Sequence, residues 1–163
     1  MALGLLREMG APLPELGFSA QEIAVLDGML RENVNVARTS SAGRLFDAVA
    51  ALLGICHVMA HEGQAAMRLE ALAGDLAAEP YPFGWRGTEL DWAPMITALL
   101  AGGEPPATAA ARFHETLVEM MVAVAQREGL ADVCLSGGCF QNRRLLATAT
   151  HALTRAGFRV WRH

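Results

Sequence analysis

Apolar positions in this chain recur mostly at helical spacing. Ala2 to Met9 reads as a short helix closed by Gly10 and Pro12. Ser19, with Glu22 three residues on, forms a capping-box pattern. It predicts a helix to about Glu32 with Ile23, Leu26 and Leu30 on one face. Asn33 to Arg38 is a connector. Beyond Ser41, Leu45, Val49, Leu52 and Leu53 repeat as an amphipathic helix repeats, and Gly54 ends it. A further helix is predicted over 62–73. Residues 79–91 hold Pro80, Pro82, Gly84 and Gly87 and read as a loop with room for a short extended piece. Asp91 is placed to cap a helix over 92–100, with Pro94 in its first turn. The strongest helical pattern, 107–127, carries Phe113, Leu117, Met120, Met121 and Val124 as its stripe. Gly129 stops it.

The pattern then changes. Val133 to Leu135 is a short apolar run that reads as a buried strand, with Cys134 inert inside it. Helical spacing returns from about Gln141 to Ala156, and Phe158 to Trp161 reads as a last strand. Strand, helix, strand predicts a parallel βαβ pairing. The expected fold class is α/β, predominantly helical, with a small parallel sheet. Between the first strand and its helix stand Ser136, Gly137 and Gly138. Glycines allow a tight turn and close ligand approach, and a helix start offers free N–H groups to an anion. Many α/β turns also contain two glycines for steric reasons alone.

Composition bounds the answer. A chain of 163 residues makes one domain, or one lobe of something larger. Apolar residues are 53% of it and charged residues only 18%, against roughly 25% in typical soluble domains. A sizeable core is therefore available, and surplus apolar surface favours self-association into a homo-oligomer. The net charge of −4 argues against a nucleic-acid surface. No apolar stretch reaches the roughly 18 residues of a membrane span. Arg7 and Glu8 interrupt the apolar start, so no signal peptide is expected. Cys56, Cys134 and Cys139 lack zinc-like spacing, and a cytoplasmic location is expected.

Several residues carry candidate chemistry. Thr39, Ser40, Ser41 and Gly43 stand at a helix start, where hydroxyls meet phosphate or ribose, or where Ser41 simply caps the helix. Asp47 lies three residues after Arg44, at ion-pair spacing. Glu62 and Gly63 open the next helix. Glu62 either reaches a ribose hydroxyl or only complements the helix dipole. His57 and His61 are four apart, but Gly54 and Gly63 break the helix that metal binding at that spacing needs. His114 reads as a structural or surface histidine. Cys139, beside the Gly-Gly turn, is a candidate reactive thiol without a partner base.

Four stretches together resemble a family. They are Thr39-Ser-Ser-Ala-Gly-Arg-Leu-Phe-Asp-Ala-Val-Ala-Ala-Leu-Leu-Gly54, Glu62-Gly-Gln-Ala-Ala-Met-Arg-Leu-Glu70, Ala111-Arg-Phe-His114, and Leu135-Ser-Gly-Gly-Cys-Phe-Gln-Asn142. In order and spacing they are similar to the C-terminal region of HypF, the carbamoyltransferase of nickel–iron hydrogenase maturation. The likeness covers nearly the whole chain. It implies a lobe of the actin/hexokinase/Hsp70-like ATPase superfamily, related to the tRNA threonylcarbamoyl transferases. It further implies a parent enzyme that makes carbamoyl-adenylate from ATP and carbamoyl phosphate. That parent passes the carbamoyl group to the C-terminal cysteine of an acceptor protein, HypE. By matching motif, Asp47, Glu62, Gly63, Gly137, Gly138 and Asn142 are the implied nucleotide contacts, with Asp47 and Glu62 at the ribose and the double glycine at phosphate.

The resemblance is partial. The family's acylphosphatase-like, zinc-finger and adenylate-forming domains have no counterpart in these 163 residues. Nor does the family's metal-binding histidine pair, which His57 and His61 do not match. No metal ligand and no catalytic residue is therefore assigned, and the 163 residues are expected to form a single lobe, inactive alone. The alternative reading is a non-catalytic helical module that self-associates or mediates assembly. A sugar-kinase-like ATPase of the same superfamily fits less well, because the Glu62-Gly-Gln-Ala-Ala stretch points away from it.

Overall fold

The structure, a computed structural model, describes residues 1–14 and 16–162. It divides into two compact units, Met1–Ala65 and Ala66–His163.

The first unit is helical. Helix α1 (Ala2–Met9) ends on Gly10 in the left-handed conformation. Helix α2 (Ala20–Glu32) opens with the expected capping box. The Ser19 hydroxyl accepts the Glu22 N–H at 3.3 Å, and the Glu22 carboxylate accepts the Ser19 N–H at 2.8 Å. Its expected apolar face, Ile23, Leu26 and Leu30, is half-buried, and no α2 residue is fully buried. Arg7 of α1 pairs with Asp27 of α2. Helix α3 (Ala42–Leu52) is better covered: Phe46, Ala48, Val49 and Ala50 are buried, and α3 packs on α1, whose Ala2, Leu3 and Leu6 are buried. Ser41 precedes α3, but its hydroxyl makes no capping bond; instead its N–H donates to the Thr39 hydroxyl at 3.1 Å. The cap expected of Ser41 is thus not formed by its side chain.

The second unit takes in most of α4 (Gln64–Ala73), which begins two residues later than the pattern suggested. The loop after α4 contains more order than expected, an antiparallel pair β1 (Gly84–Arg86) and β2 (Glu89–Asp91). The Asp91 carboxylate accepts the Ala93 N–H at 3.0 Å, starting α5 (Ala93–Ala101). Helix α6 (Pro106–Glu128) is the centre of this unit and packs on α5 and on α7 (Arg143–Arg155). Its buried side holds Ala110, Phe113, His114, Leu117 and Met120. Val124, expected in that stripe, is exposed, because the buried face ends a turn earlier and resumes only at the smaller Ala125.

Tyr81 ties the loop to α6. Its N–H donates to the Thr116 hydroxyl at 2.8 Å, its own hydroxyl donates to Glu104, and Arg112 sits 4.0 Å above its ring. Burial, and then the Glu104 carboxylate, push the Tyr81 hydroxyl well above the usual tyrosine range.

Strands β3 (Asp132–Leu135) and β4 (Arg159–Arg162) pair in parallel, Asp132 opposite Arg159 and Leu135 opposite Arg162. The expected βαβ unit is therefore present. Two strands cannot bury both their faces, so only Leu135 of β3 is buried. Cys134, expected inside the core, is exposed for that reason.

Candidate functional site

In the second unit the chain leaves β3 through Ser136 and turns on Gly137, at φ 100°, ψ 171°. That region is open to glycine alone. Gly138 is different. Its φ is not left-handed, and a Cβ built on it would meet nothing within 4 Å. Neither backbone conformation nor packing within the chain asks for glycine there. Gly138 to Gln141 then form a single 3-10 turn, in which Phe140 N–H donates to Gly137 O at 3.1 Å. Among the described residues the N–H groups of Gly138 and Cys139 donate no hydrogen bond.

The pattern put the start of the next helix near Gln141, with its N–H groups facing an anion. The structure starts α7 at Arg143 and fills those N–H groups from within. Glu70 Oε1 accepts from Arg143 N at 2.8 Å and from Arg144 N at 3.2 Å. Asn142 Oδ1 accepts from Leu145 N at 2.8 Å. The open donors thus lie one turn upstream, at the double glycine. The Arg144 side chain is spent on structure: it pairs with Glu115 at 2.8 Å and donates to Gly74 O and Leu76 O.

Asn142 is buried and uses both ends of its amide. Oδ1 caps α7, and Nδ2 lies 2.9 Å from Nε2 of His114. His114 is itself buried on α6, with Nδ1 2.7 Å from Ala110 O. It is the structural histidine of the two readings, not a surface one.

In the first unit α3 presents Asp47. Only 7% of it is exposed. Its Oδ2 stands 3.0 Å from Arg44 Nη1 but accepts no hydrogen bond. Burial raises the Asp47 carboxyl above its ordinary value, and Arg44 opposes that only in part. The expected Arg44 pair is present, but with a buried carboxylate rather than a surface one. Asp47 lines a cavity of about 100 Å³ with Ala2, Ala51, Cys56, His57 and Met59.

Met59 also borders an open cleft of about 590 Å³, lined by Thr39, Ser41, Arg44, His61 and Glu62. Glu62 is exposed, and Gly63 takes φ 76° to turn the chain into α4. The implied contacts thus form two groups, Asp47, Glu62 and Gly63 in the first unit and Gly137, Gly138 and Asn142 in the second. Neither Glu70 nor the His114–Asn142 contact was foreseen, since each joins residues far apart in sequence. Among the described residues no three His, Cys, Asp or Glu side chains are grouped to hold a metal ion. No described helix is long and apolar enough to cross a membrane.

Residues 1–163 match the family model described as carbamoyltransferase, Kae1-like domain, second subdomain. The chain is 42% identical over 126 residues to carbamoyltransferase HypF of Synechocystis sp., covering 74% of this chain and 16% of that protein. It is 45% identical over 131 residues to carbamoyltransferase HypF of Rhodobacter capsulatus, covering 77% of this chain and 18% of that protein. The crystal structure of full-length HypF in its phosphate- and nucleotide-bound form superposes with a TM-score of 0.77 at 31% identity, over 90% of this chain and 25% of that one. The chain thus spans less than a fifth of the length of these two curated relatives. The fold is the expected one, a predominantly helical α/β lobe of the ATPase-like class with a small parallel sheet.

Proposed function

The chain belongs to the HypF carbamoyltransferase family, and from that premise we propose that it contributes the nucleotide contacts of a carbamoyl-transfer site. In this reading the parent enzyme uses ATP and carbamoyl phosphate, and carbamoyl-adenylate is the ligand. The group is delivered to the C-terminal cysteine of a HypE-type acceptor during hydrogenase maturation in the cytoplasm. The remaining HypF domains supply adenylation, and the parent's metal ion is held by residues outside these 163.

Asp47 carries the proposal. Its carboxylate is buried, and Oδ2 is balanced by the Arg44 ion pair at 3.0 Å rather than by a hydrogen bond. In this reading the Asp47 carboxylate at its small cavity and Glu62 at the neighbouring cleft are the acceptors for ribose hydroxyls. At the other group, the unbonded N–H groups of Gly138 and Cys139 suit phosphate oxygens, and the space over Gly138 lets them approach. Similarity to a HypF solved with phosphate and nucleotide supports the same ligand class.

Calorimetry of the chain with ADP tests this, beside the Asp47→Asn and Gly138→Ala variants. We expect weak binding that both variants reduce at least tenfold. Equal affinity in all three removes the assignment. Carbamoyl transfer to a HypE-type tail peptide is expected only from a longer chain that includes the other HypF domains. The second reading, a non-catalytic module that self-associates, draws on the exposed Val58, Leu130 and Trp161. A chain that binds no ADP and sediments as an oligomer would favour it.

A further inference from the structure

We propose that His114 is a positioning residue whose ring tautomer decides which face of the Asn142 amide is left for a ligand. The inference rests on the reading of Asn142 as a nucleotide contact. It starts from the Leu145 N–H, a donor that must find an acceptor, and the acceptor at 2.8 Å is Asn142 Oδ1. That orients the amide, so the atom 2.9 Å from His114 Nε2 is the donor Nδ2. Nε2 must then be an unprotonated acceptor, and the ring proton sits on Nδ1, where Ala110 O accepts it at 2.7 Å. Each assignment forces the next. Nδ2 has two hydrogens, and His114 takes one. The other has no acceptor among the described residues, and it stands three residues after the unbonded N–H of Cys139. Around the double glycine the protein therefore offers donors, which suits a ligand rich in acceptor oxygens.

A proton added to Nε2 would set two donors against each other. Asn142 would have to turn its amide over, losing the α7 cap and withdrawing the free Nδ2 hydrogen. Burial opposes that protonation, as does Arg144 of α7, while the hydrogen bond to Ala110 O and Glu70 of α4 favour it. The net direction is a His114 that protonates below the ordinary histidine range. The arrangement is thus kept at neutral pH and lost in acid.

The test uses the ¹⁵N-labelled 163-residue chain. Ring-nitrogen shifts should report the Nδ1–H tautomer, and the Asn142 side-chain amide signals should move together with the His114 titration. His114→Gln supplies an acceptor near the Nε2 position without a titrating group. In it the Asn142 signals should hold still across the acid range, below the usual histidine value, in which the parent chain's His114 titrates. ADP affinity should fall in acid for the parent chain, stay level for His114→Gln, and drop about tenfold at neutral pH for His114→Leu. An Nε2–H tautomer, Asn142 signals indifferent to the His114 titration, or the same pH profile in His114→Gln would overturn the proposal. No ADP binding at any pH, with the resonances as expected, would instead refute the nucleotide reading and leave the His114–Asn142 coupling supported.

Discussion

Glu70 and Arg143 stand 73 positions apart, yet the Glu70 carboxylate accepts the Arg143 backbone N–H at 2.8 Å and that of Arg144 at 3.2 Å. A side chain from α4 thereby does for α7 what a capping residue or a bound anion would do. A negative group at a helix start satisfies orphan donors and complements the dipole. Glu70→Ala should lower stability by about 1–2 kcal/mol, the scale of a lost cap. Glu70→Gln, which keeps an acceptor, should cost less than half of that. Urea unfolding of the three chains measures both.

The two glycines of the turn should behave oppositely. Gly137→Ala forces a side chain into a backbone region costing about 1–3 kcal/mol, so the variant should unfold at lower urea. Gly138→Ala enters open space and should match the parent within about 0.5 kcal/mol. Its defect should appear only in ligand binding. A destabilised Gly138→Ala would show that the turn is tighter than described.

Asp47 predicts a pH dependence of stability. Burial holds its carboxyl above the ordinary value, so the folded chain binds this proton more readily than the unfolded one. This contribution therefore grows as pH falls through the folded value towards about 3.9, and disfavours folding above it. Asp47→Asn should be at least as stable as the parent at pH 7, and the difference should shrink in acid. Thermal unfolding of both chains from about pH 4 to 7 checks the sign. A variant less stable at pH 7 would mean that the Arg44 pair outweighs burial.

Thr116 accepts the Tyr81 N–H in a buried setting. Thr116→Val keeps the volume and removes the acceptor, leaving that donor unpaired at a cost of about 1–3 kcal/mol. Amide hydrogen exchange should show the Tyr81 N–H losing its protection while α7 keeps its own. Unchanged exchange at Tyr81 would mean that water replaces the hydroxyl.

Local signals were legible. The Ser19–Glu22 box and the Gly10 and Gly129 stops could be read because each depends on residues within one or two turns, and the βαβ order because strand, helix and strand each show their own local period. Val124 and Cys134 misled for a different reason. Periodicity identifies an apolar side but not what covers it, and here Val124 and Cys134 are exposed. Glu70 was invisible as a cap because a glutamate in mid-helix looks the same whatever its carboxylate reaches. The same holds for His114 and Asn142, 28 positions apart. Residues of the candidate site were legible only through their joint resemblance to a family. Taken singly, Asp47 and the double glycine fit ordinary helices and turns as well.

The pairing of β3 with β4 carries a consequence for how this unit acquires its shape. An antiparallel hairpin zips outward from its own bend, but parallel neighbours need the whole intervening helix before a single rung can close. Asp132 meets Arg159 across 27 residues, so the last strand must arrive before the first is held. The double-glycine bend follows directly on that first strand and is therefore among the last features to settle. A refolding experiment should see the Phe140 N–H, which donates to Gly137 O, become protected only when α7 is already formed.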